Sequence, residues 1–283
     1  MHLGHQALLA QLRAVAEARG LKSAVVIFEP HPREFFAPQQ APARLTSLRE
    51  KLELLAAQKM DRVHVCRFGA HFARIEARDF ARALRDEAGA ALVLVGDDFH
   101  FGKQRGGDFA TLQRAGAECG FEAQMMDGVL QDGARISSTA VRAALAEGRM
   151  DAARAYLGRY YGISGRVVHG DGVGRKLGFR TANIPLRRNR PALQGVYAAR
   201  VRVDGLGVLR GAASLGVRPT VHAAAAPVLE VHLLDFNRQI YGRHLRVEFL
   251  HKLRDEAKFP DLAALTAQIA LDVEQTKRWF EKS

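Results

Sequence analysis

The stretch "ALVLVGDDFHFGKQRGG", residues 91–107, decides the fold of the first half of the chain. Its opening, Ala91–Gly96, is an unbroken apolar run of strand length, the pattern of a strand covered on both faces. It breaks directly into a polar, glycine-bearing loop. In open parallel sheets ligands sit beyond the carboxyl ends of the strands, so a loop of this kind is where a site belongs. The same grammar repeats outward in both directions. "SAVVIF" (23–28) is a buried strand ending at "EPHP", and "RVHVC" (62–66) is a short one. Ahead of the first, Leu8, Leu9, Leu12, Val15 and Ala16 give residues 5–19 a helical period, and between the two "LTSLREKLELLAAQ" (45–58) is a helix with Thr46 or Ser47 as its cap. Helices over 76–89, 108–119 and from about 138, with a strand over 121–126, complete the alternation. This half is predicted to be α/β, a doubly wound, Rossmann-like parallel sheet.

The pattern changes near "LGRYYG", and the expected boundary divides the chain into 1–158 and 159–283. Beyond it, "ISGRVVHG", "GVYAARVRVDG", "LRGAASLG", "VLEVHLLDF" and "HLRVEFLHKLR" are short alternating runs between Gly, Pro and Asn turns. They predict a small antiparallel β-barrel. A last helix, about 261–280, places Leu262, Leu265, Ile269 and Val273 on one face.

The chain has 283 residues, 48% of them hydrophobic and 25% charged, which suits two soluble domains. No apolar run reaches membrane-spanning length and no secretory leader opens the sequence. Two cysteines, Cys66 and Cys119, fit a reducing cytoplasm rather than a disulfide framework. A net charge of +12 calls for acidic partners. The basic residues are dispersed, densest at "LRRNR" (186–190), and not interleaved with aromatics as on a single-strand nucleic-acid surface. Nucleic acid, a membrane surface and phosphorylated small molecules all answer to that charge, as does a basic composition spread over solvated faces, and an oligomer is possible.

Two constellations carry chemistry. "HLGH" puts His2 and His5 around Gly4 at the start of a helix, where backbone N–H groups and the helix dipole favour phosphate. The histidines can donate to an α-phosphate as charge builds, and Gly4 allows a close backbone approach. In "RISSTAVR" (135–142), Ser137, Ser138 and Thr139 can cap a helix facing a triphosphate, with Arg142 one turn on to grip it. In "GDDFHFG", Asp97 and Asp98 are ligand contacts or solvated turn residues; Phe99 and Phe101 are core or stack on an aromatic ring. His31 stiffens a loop between two prolines, and His64 and His71 are structural. No His/Cys/Asp cluster has zinc-ligand spacing. In the second half, "HGDGVGRKLGFRTANIPL" (169–186) is a glycine loop for phosphates, with Gly174, Arg175 and Lys176 at its centre. It leads into Thr181 and Asn183, whose hydroxyl and amide oxygens can share a Mg²⁺ held mainly by ATP phosphates. Glu230, on a strand face with His232, can accept a proton from a substrate hydroxyl during phosphoryl transfer or stand as an exposed strand residue.

In order, "HLGHQ", "FEPHPREFF", "GDDFHFGKQRGGD", "RISSTAVR", "GRKLGFRTANIPL", "GVYAARV", "GVRPT", "EVHLLDFNRQIYG" and "LRDEAKF" resemble the bacterial bifunctional riboflavin kinase/FAD synthetase family over nearly the whole chain. The resemblance implies phosphorylation of riboflavin to FMN by Mg-ATP in the C-terminal domain, then adenylylation of FMN to FAD with release of pyrophosphate in the N-terminal one. Its expected partners are small molecules, with neither nucleic acid nor membrane. It makes His2 and His5 ATP contacts and Ser137–Arg142 the triphosphate motif. It lines a flavin and nucleotide cleft with "GDDFHFG" (Asp97, Phe99, Phe101), gives Thr181 and Asn183 to Mg-ATP, makes Glu230 the catalytic base, and puts Arg254 on the flavin side. Two departures stand out. Such proteins begin with a strand running into Gly-x-Phe-Asp-Gly-Val-His; here only the histidine end remains, with Met1 in the valine's place. The expectation is a doubly wound domain lacking its first strand, through a start at an internal methionine or a genuinely shorter protein, and a weakened adenylyl transfer. Arg180 stands where proline usually precedes Thr-Ala-Asn, a change expected to be tolerated. The alternatives are a monofunctional riboflavin kinase with an inactive N-terminal domain and, more remotely, a basic nucleic-acid-binding protein. An aminoacyl-tRNA synthetase shares H-x-G-H, but its lysine-rich partner motif is absent.

Overall fold

The computed structural model describes residues 1–126, 130–131, 134–170, 172–186, 190–217 and 227–283. Its helices are α1 (Leu3–Ala18), α2 (Pro32–Phe36), α3 (Leu48–Ala57), α4 (Ala77–Asp86), α5 (Phe109–Cys119), α6 (Ser138–Ala146), α7 (Met150–Leu157), α8 (Val173–Lys176) and α9 (Leu262–Lys282). The strands of the first half are β1 (Ala24–Glu29), β2 (Arg62–Arg67), β3 (Leu92–Gly96), β4 (Glu122–Met126) and the two-residue β5 (Leu130–Gln131) and β6 (Ala134–Arg135). The second half holds β7 (Tyr161–Arg166), β8 (Thr181–Pro185), β9 (Gly195–Val203), β10 (Gly207–Val217), β11 (Pro227–Leu233) and β12 (His244–Arg254).

The chain forms two compact units. One comprises 1–42 and 51–136; the other comprises 43–50 and 137–283. In the first, β1 pairs in parallel with β2, and β3 in parallel with β4. Among the described residues these pairs are not hydrogen-bonded to each other, so the parallel sheet is interrupted. Phe80 and Leu84 of α4 and Leu112 and Ala115 of α5 build the core here with Val95 and Phe101, and Val26 and Phe28 of β1 pack on it. The caps follow local chemistry. Ser47 and Glu50 exchange backbone bonds, Ser47 N–H to the carboxylate (2.7 Å) and Glu50 N–H to the hydroxyl (3.3 Å), which starts α3 at Leu48. Asp108 caps α5 by accepting from Thr111 N–H (2.8 Å). His31 is more than a loop stiffener: its Nδ1 accepts from Arg33 N–H and its own N–H donates to Glu34, a cap for α2.

The second unit is a six-stranded antiparallel sheet in the order β7-β12-β9-β10-β11-β8. It curls so far that Val168, just past one end of that order, bridges Asn183 at the other. Gly165 lets the edges approach: a Cβ there would come within 2.5 Å of Ile184. The period-2 pattern explains the core. Tyr197, Ala199, Val201 and Val203 point inward with Leu229, Val231, Leu245, Val247 and Phe249. Val141, Ala144, Leu145, Met150, Ala153 and Leu157 join the same core. The second unit therefore takes residues 43–50 and everything from Ser137 on, with α6 and α7 packed on the antiparallel sheet. The expectation for α9 fails at one residue: the buried positions are Asp272 and Thr276, whereas Leu262 is 61% exposed. Leu265, Ile269 and Val273 are half-buried beside them, so the expected stripe faces inward except at its first residue, and Asp272 joins it through an ion pair with Arg254.

Candidate functional sites

In the first unit His2 precedes α1 and is buried, with its ring 3.8 Å from that of His5. Gly4 leaves room for this fold-back: a Cβ there would lie 3.1 Å from the His2 ring, which would have to give by a few tenths of an ångström, and in ordinary contact at 3.5 Å with the carbonyl of Ile136. His5 Nδ1 accepts from His2 N–H at 3.5 Å, a long contact that leaves Nε2 as the donor. Although its outer edge meets solvent, His5 is held below the ordinary imidazole value, first by loss of hydration and then by His2 and the Met1 amine. The ring is therefore held neutral, with Nε2–H as its donor.

Asp97 and Asp98 lie exposed in the turn after β3, at the carboxyl end of that strand. Phe101 is buried and Phe99 stacks on it with centroids 5.2 Å apart. Both phenylalanines belong to an aromatic cavity of about 200 Å³, with His100 and Arg105 at its polar side. The sequence reading missed its other walls, Phe28, Phe36, Phe68, Phe72 and Phe80. They are scattered over residues 28–80, and only the fold brings them together.

Ser137 caps α6, accepting from Ala140 N–H at 3.2 Å; Ser138 is half-buried and Thr139 is exposed. Arg142 Nε donates to the carbonyl of Ala43 at 2.7 Å, so part of its guanidinium is committed to the protein. The same segment is held again by Tyr161, whose hydroxyl donates to Leu45 O (3.1 Å), and by Glu50, which accepts from Ser164 N–H (2.7 Å). Side chains of Arg135 and Lys176, and Arg218, Pro219 and Thr220 of "GVRPT", lie outside the described residues.

The kinase-like constellation forms around a cavity of about 360 Å³ lined by Gly170, Arg175, Thr181 and Asn183. Gly174 packs so tightly that a Cβ would meet Phe179 O at 2.5 Å and Thr181 Oγ1 at 3.3 Å. Asn183 is 8% exposed, and a Cβ on Gly170 would fall 2.5 Å from its amide. The register then sets Glu230 directly opposite Asn183 and His232 opposite Thr181. Arg180 bonds to Asn237, and its carbonyl contacts His232 Nδ1 at 2.9 Å. His169 and Tyr241, stacked at 3.8 Å in the cavity wall, and Arg238 were not singled out from the sequence. Arg254 is bidentate to the buried Asp272 at 2.8 and 2.7 Å, which raises its pKa further and leaves it permanently charged. Among the described residues no cluster of three or more His, Cys, Asp and Glu side chains could hold a metal. The oxygen donors of Thr181 and Asn183 fit a hard Mg²⁺ carried by phosphates.

The family model for FAD synthetase matches residues 1–140, and that for riboflavin kinase matches 157–280. The chain belongs to the bifunctional riboflavin kinase/FMN adenylyltransferase family. It is 48% identical to the bifunctional riboflavin kinase/FMN adenylyltransferase of Escherichia coli K12 over 99% of this chain and 89% of that protein. The Haemophilus influenzae protein of the same name is 44% identical, covering 99% and 91%. A solved Streptococcus pneumoniae structure, described as a macrolide-efflux protein, is 28% identical with a TM-score of 0.79, covering 98% of this chain and 90% of that one. Among the described residues of this family member, no helix is long and apolar enough to cross a membrane.

Proposed function

We propose that the chain phosphorylates riboflavin to FMN and adenylylates FMN to FAD, each with ATP. The observation that carries the reading is the register pairing of Glu230 with Asn183 at the edge of a glycine-lined cavity, in a chain matched by both family models. In the kinase reaction Glu230 takes the proton of the flavin's terminal hydroxyl as it attacks the γ-phosphorus, and ADP leaves. Gly174 and Arg175 bind ATP, and Thr181 and Asn183 would hold the Mg²⁺, which when bound would neutralise phosphate charge. Arg254 acts on the flavin side as a fixed cation.

For FMN adenylylation, the flavin enters the cavity of Phe99 and Phe101 with Asp97 at its rim. The FMN phosphate attacks the α-phosphorus of ATP and pyrophosphate departs. His2 and His5 donate to the developing charge, Gly4 admits the nucleotide, and Ser137, Ser138, Thr139 and Arg142 bind the triphosphate. The chemistry divides near residue 158, transferase before and kinase after, although α6 and α7 pack with the kinase core. Small molecules, not nucleic acid, are the partners, and the setting is the cytoplasm.

Chromatography of products after incubation with riboflavin and Mg-ATP, and separately with FMN and Mg-ATP, tests both halves. FMN from the first and FAD from the second are expected. FMN alone would support the monofunctional kinase, for which the interrupted parallel sheet is the specific observation. Neither product from folded protein would overturn the reading.

A further inference from the structure

Arg254, Val196, Ser214, Glu230 and Asn183 stand opposite one another, in that order, across β12, β9, β10, β11 and β8. Four of these five positions are already accounted for, as site residues or as apolar sheet. Ser214 is not, and it sits beside Glu230. Directly opposed residues share a sheet face, so the Ser214 side chain borders the proposed base.

The Ser214 hydroxyl donates to Glu256 Oε1 at 2.7 Å. Glu256 lies two residues past Arg254, and room is made for it by Gly216, the next residue of β10 on the same face. A Cβ on Gly216 would come within 2.9 Å of the Glu256 carboxylate. The segment between is gripped at its other side by Arg254, which donates to Asp255 O (2.9 Å) and lies 5.6 Å from the Phe259 ring centre. A serine has one proton to give. With that proton committed to Glu256, Ser214 offers only lone pairs towards its neighbours and does not compete with a substrate hydroxyl for Glu230.

We propose that Ser214 and Glu256 are a positioning pair for the flavin in phosphoryl transfer, resting on the kinase reading above. Their hydrogen bond draws residues 255–259 onto the strand face beside Glu230, where the seated segment forms part of the surface that receives the flavin. Neither residue touches the transferred phosphoryl group. The pair therefore governs flavin affinity rather than the chemical step.

The test uses the full chain with Ser214→Ala, Glu256→Ala, the double variant and Glu256→Gln. The KM for riboflavin should rise about tenfold in each alanine variant, the loss of one hydrogen bond to a charged group. kcat and the KM for ATP should stay within about twofold, since the interaction is not specific to the transition state. The double variant should be no worse than the worse single, as expected for partners in one bond. Glu256→Gln, which keeps an accepting oxygen, should recover most of the loss. Riboflavin fluorescence quenching reads the same affinity change without turnover, and melting curves separate it from unfolding. Unchanged riboflavin affinity, additive effects, or a fall in kcat at constant KM would overturn the pair. A wild-type chain that makes no FMN would instead overturn the kinase reading itself, and the pair with it.

Discussion

Arg142 gives its Nε–H to the carbonyl of Ala43, 2.7 Å away and 99 positions earlier in the chain. A residue read from the sequence as a phosphate clamp is thus also a structural tie, holding segment 43–50 to the unit that contains α6. Arg142→Ala should lower unfolding stability by roughly 1.5–3 kcal/mol, the worth of a hydrogen bond to a charged group. FAD formation should fall with it while riboflavin phosphorylation persists. Denaturant melts and the two product assays check this; an unchanged midpoint would show that the Ala43 bond contributes nothing.

Glu230→Gln keeps the side chain's size and removes its ability to take a proton. FMN formation should drop by about 10²–10⁴-fold, the usual contribution of a positioned general base. FAD formation from supplied FMN should be unaffected, because Glu230 belongs to the antiparallel sheet and the adenylyl-transfer candidates do not. A kinase rate within a few-fold of wild type would remove Glu230 from the mechanism.

His5 carries a pH signature. Its folded-state pKa is depressed, so the group contributes stability that is present above the unfolded value of about 6.5 and is lost as pH falls below it. The wild-type melting temperature should decline from pH 7 to pH 5 more steeply than that of His5→Gln. His5→Ala should also slow FMN adenylylation by about 10²-fold, the cost of one donor to developing charge. Parallel melting profiles for wild type and His5→Gln would refute the neutral ring.

Leu145 is fully buried in the core shared by α6, α7 and the antiparallel sheet. Leu145→Ala should cost about 2–5 kcal/mol. A fragment of residues 159–283 alone loses this layer and should show a broad, weakened thermal transition. A sharp transition at the temperature of the second unit in the full chain would mean the helices are dispensable.

The sequence by itself determined the two kinds of sheet, because hydrophobic periodicity is local and its two periods are distinct. "ALVLVG" became β3 over Leu92–Gly96, and "HLRVEFLHKLR" became β12 over exactly those residues, His244–Arg254. Cap chemistry was legible too, at Ser47 and at the start of α6. The site motifs were visible as residue types in order: histidines around a glycine, a glycine loop, and a Thr-x-Asn strand start. What the sequence did not contain was partnership. That Asn183, Glu230 and Ser214 share one row is set by cross-strand register, which depends on how separate segments pack. The ring of phenylalanines around Phe99 and Phe101 draws on β1, α2, α4 and the segment that follows β2. Asp272 can lie on the inward face of α9 because Arg254, 18 positions away, neutralises it inside the fold. Burial and pairing are properties of contacts between distant segments, and only the tertiary structure decides them.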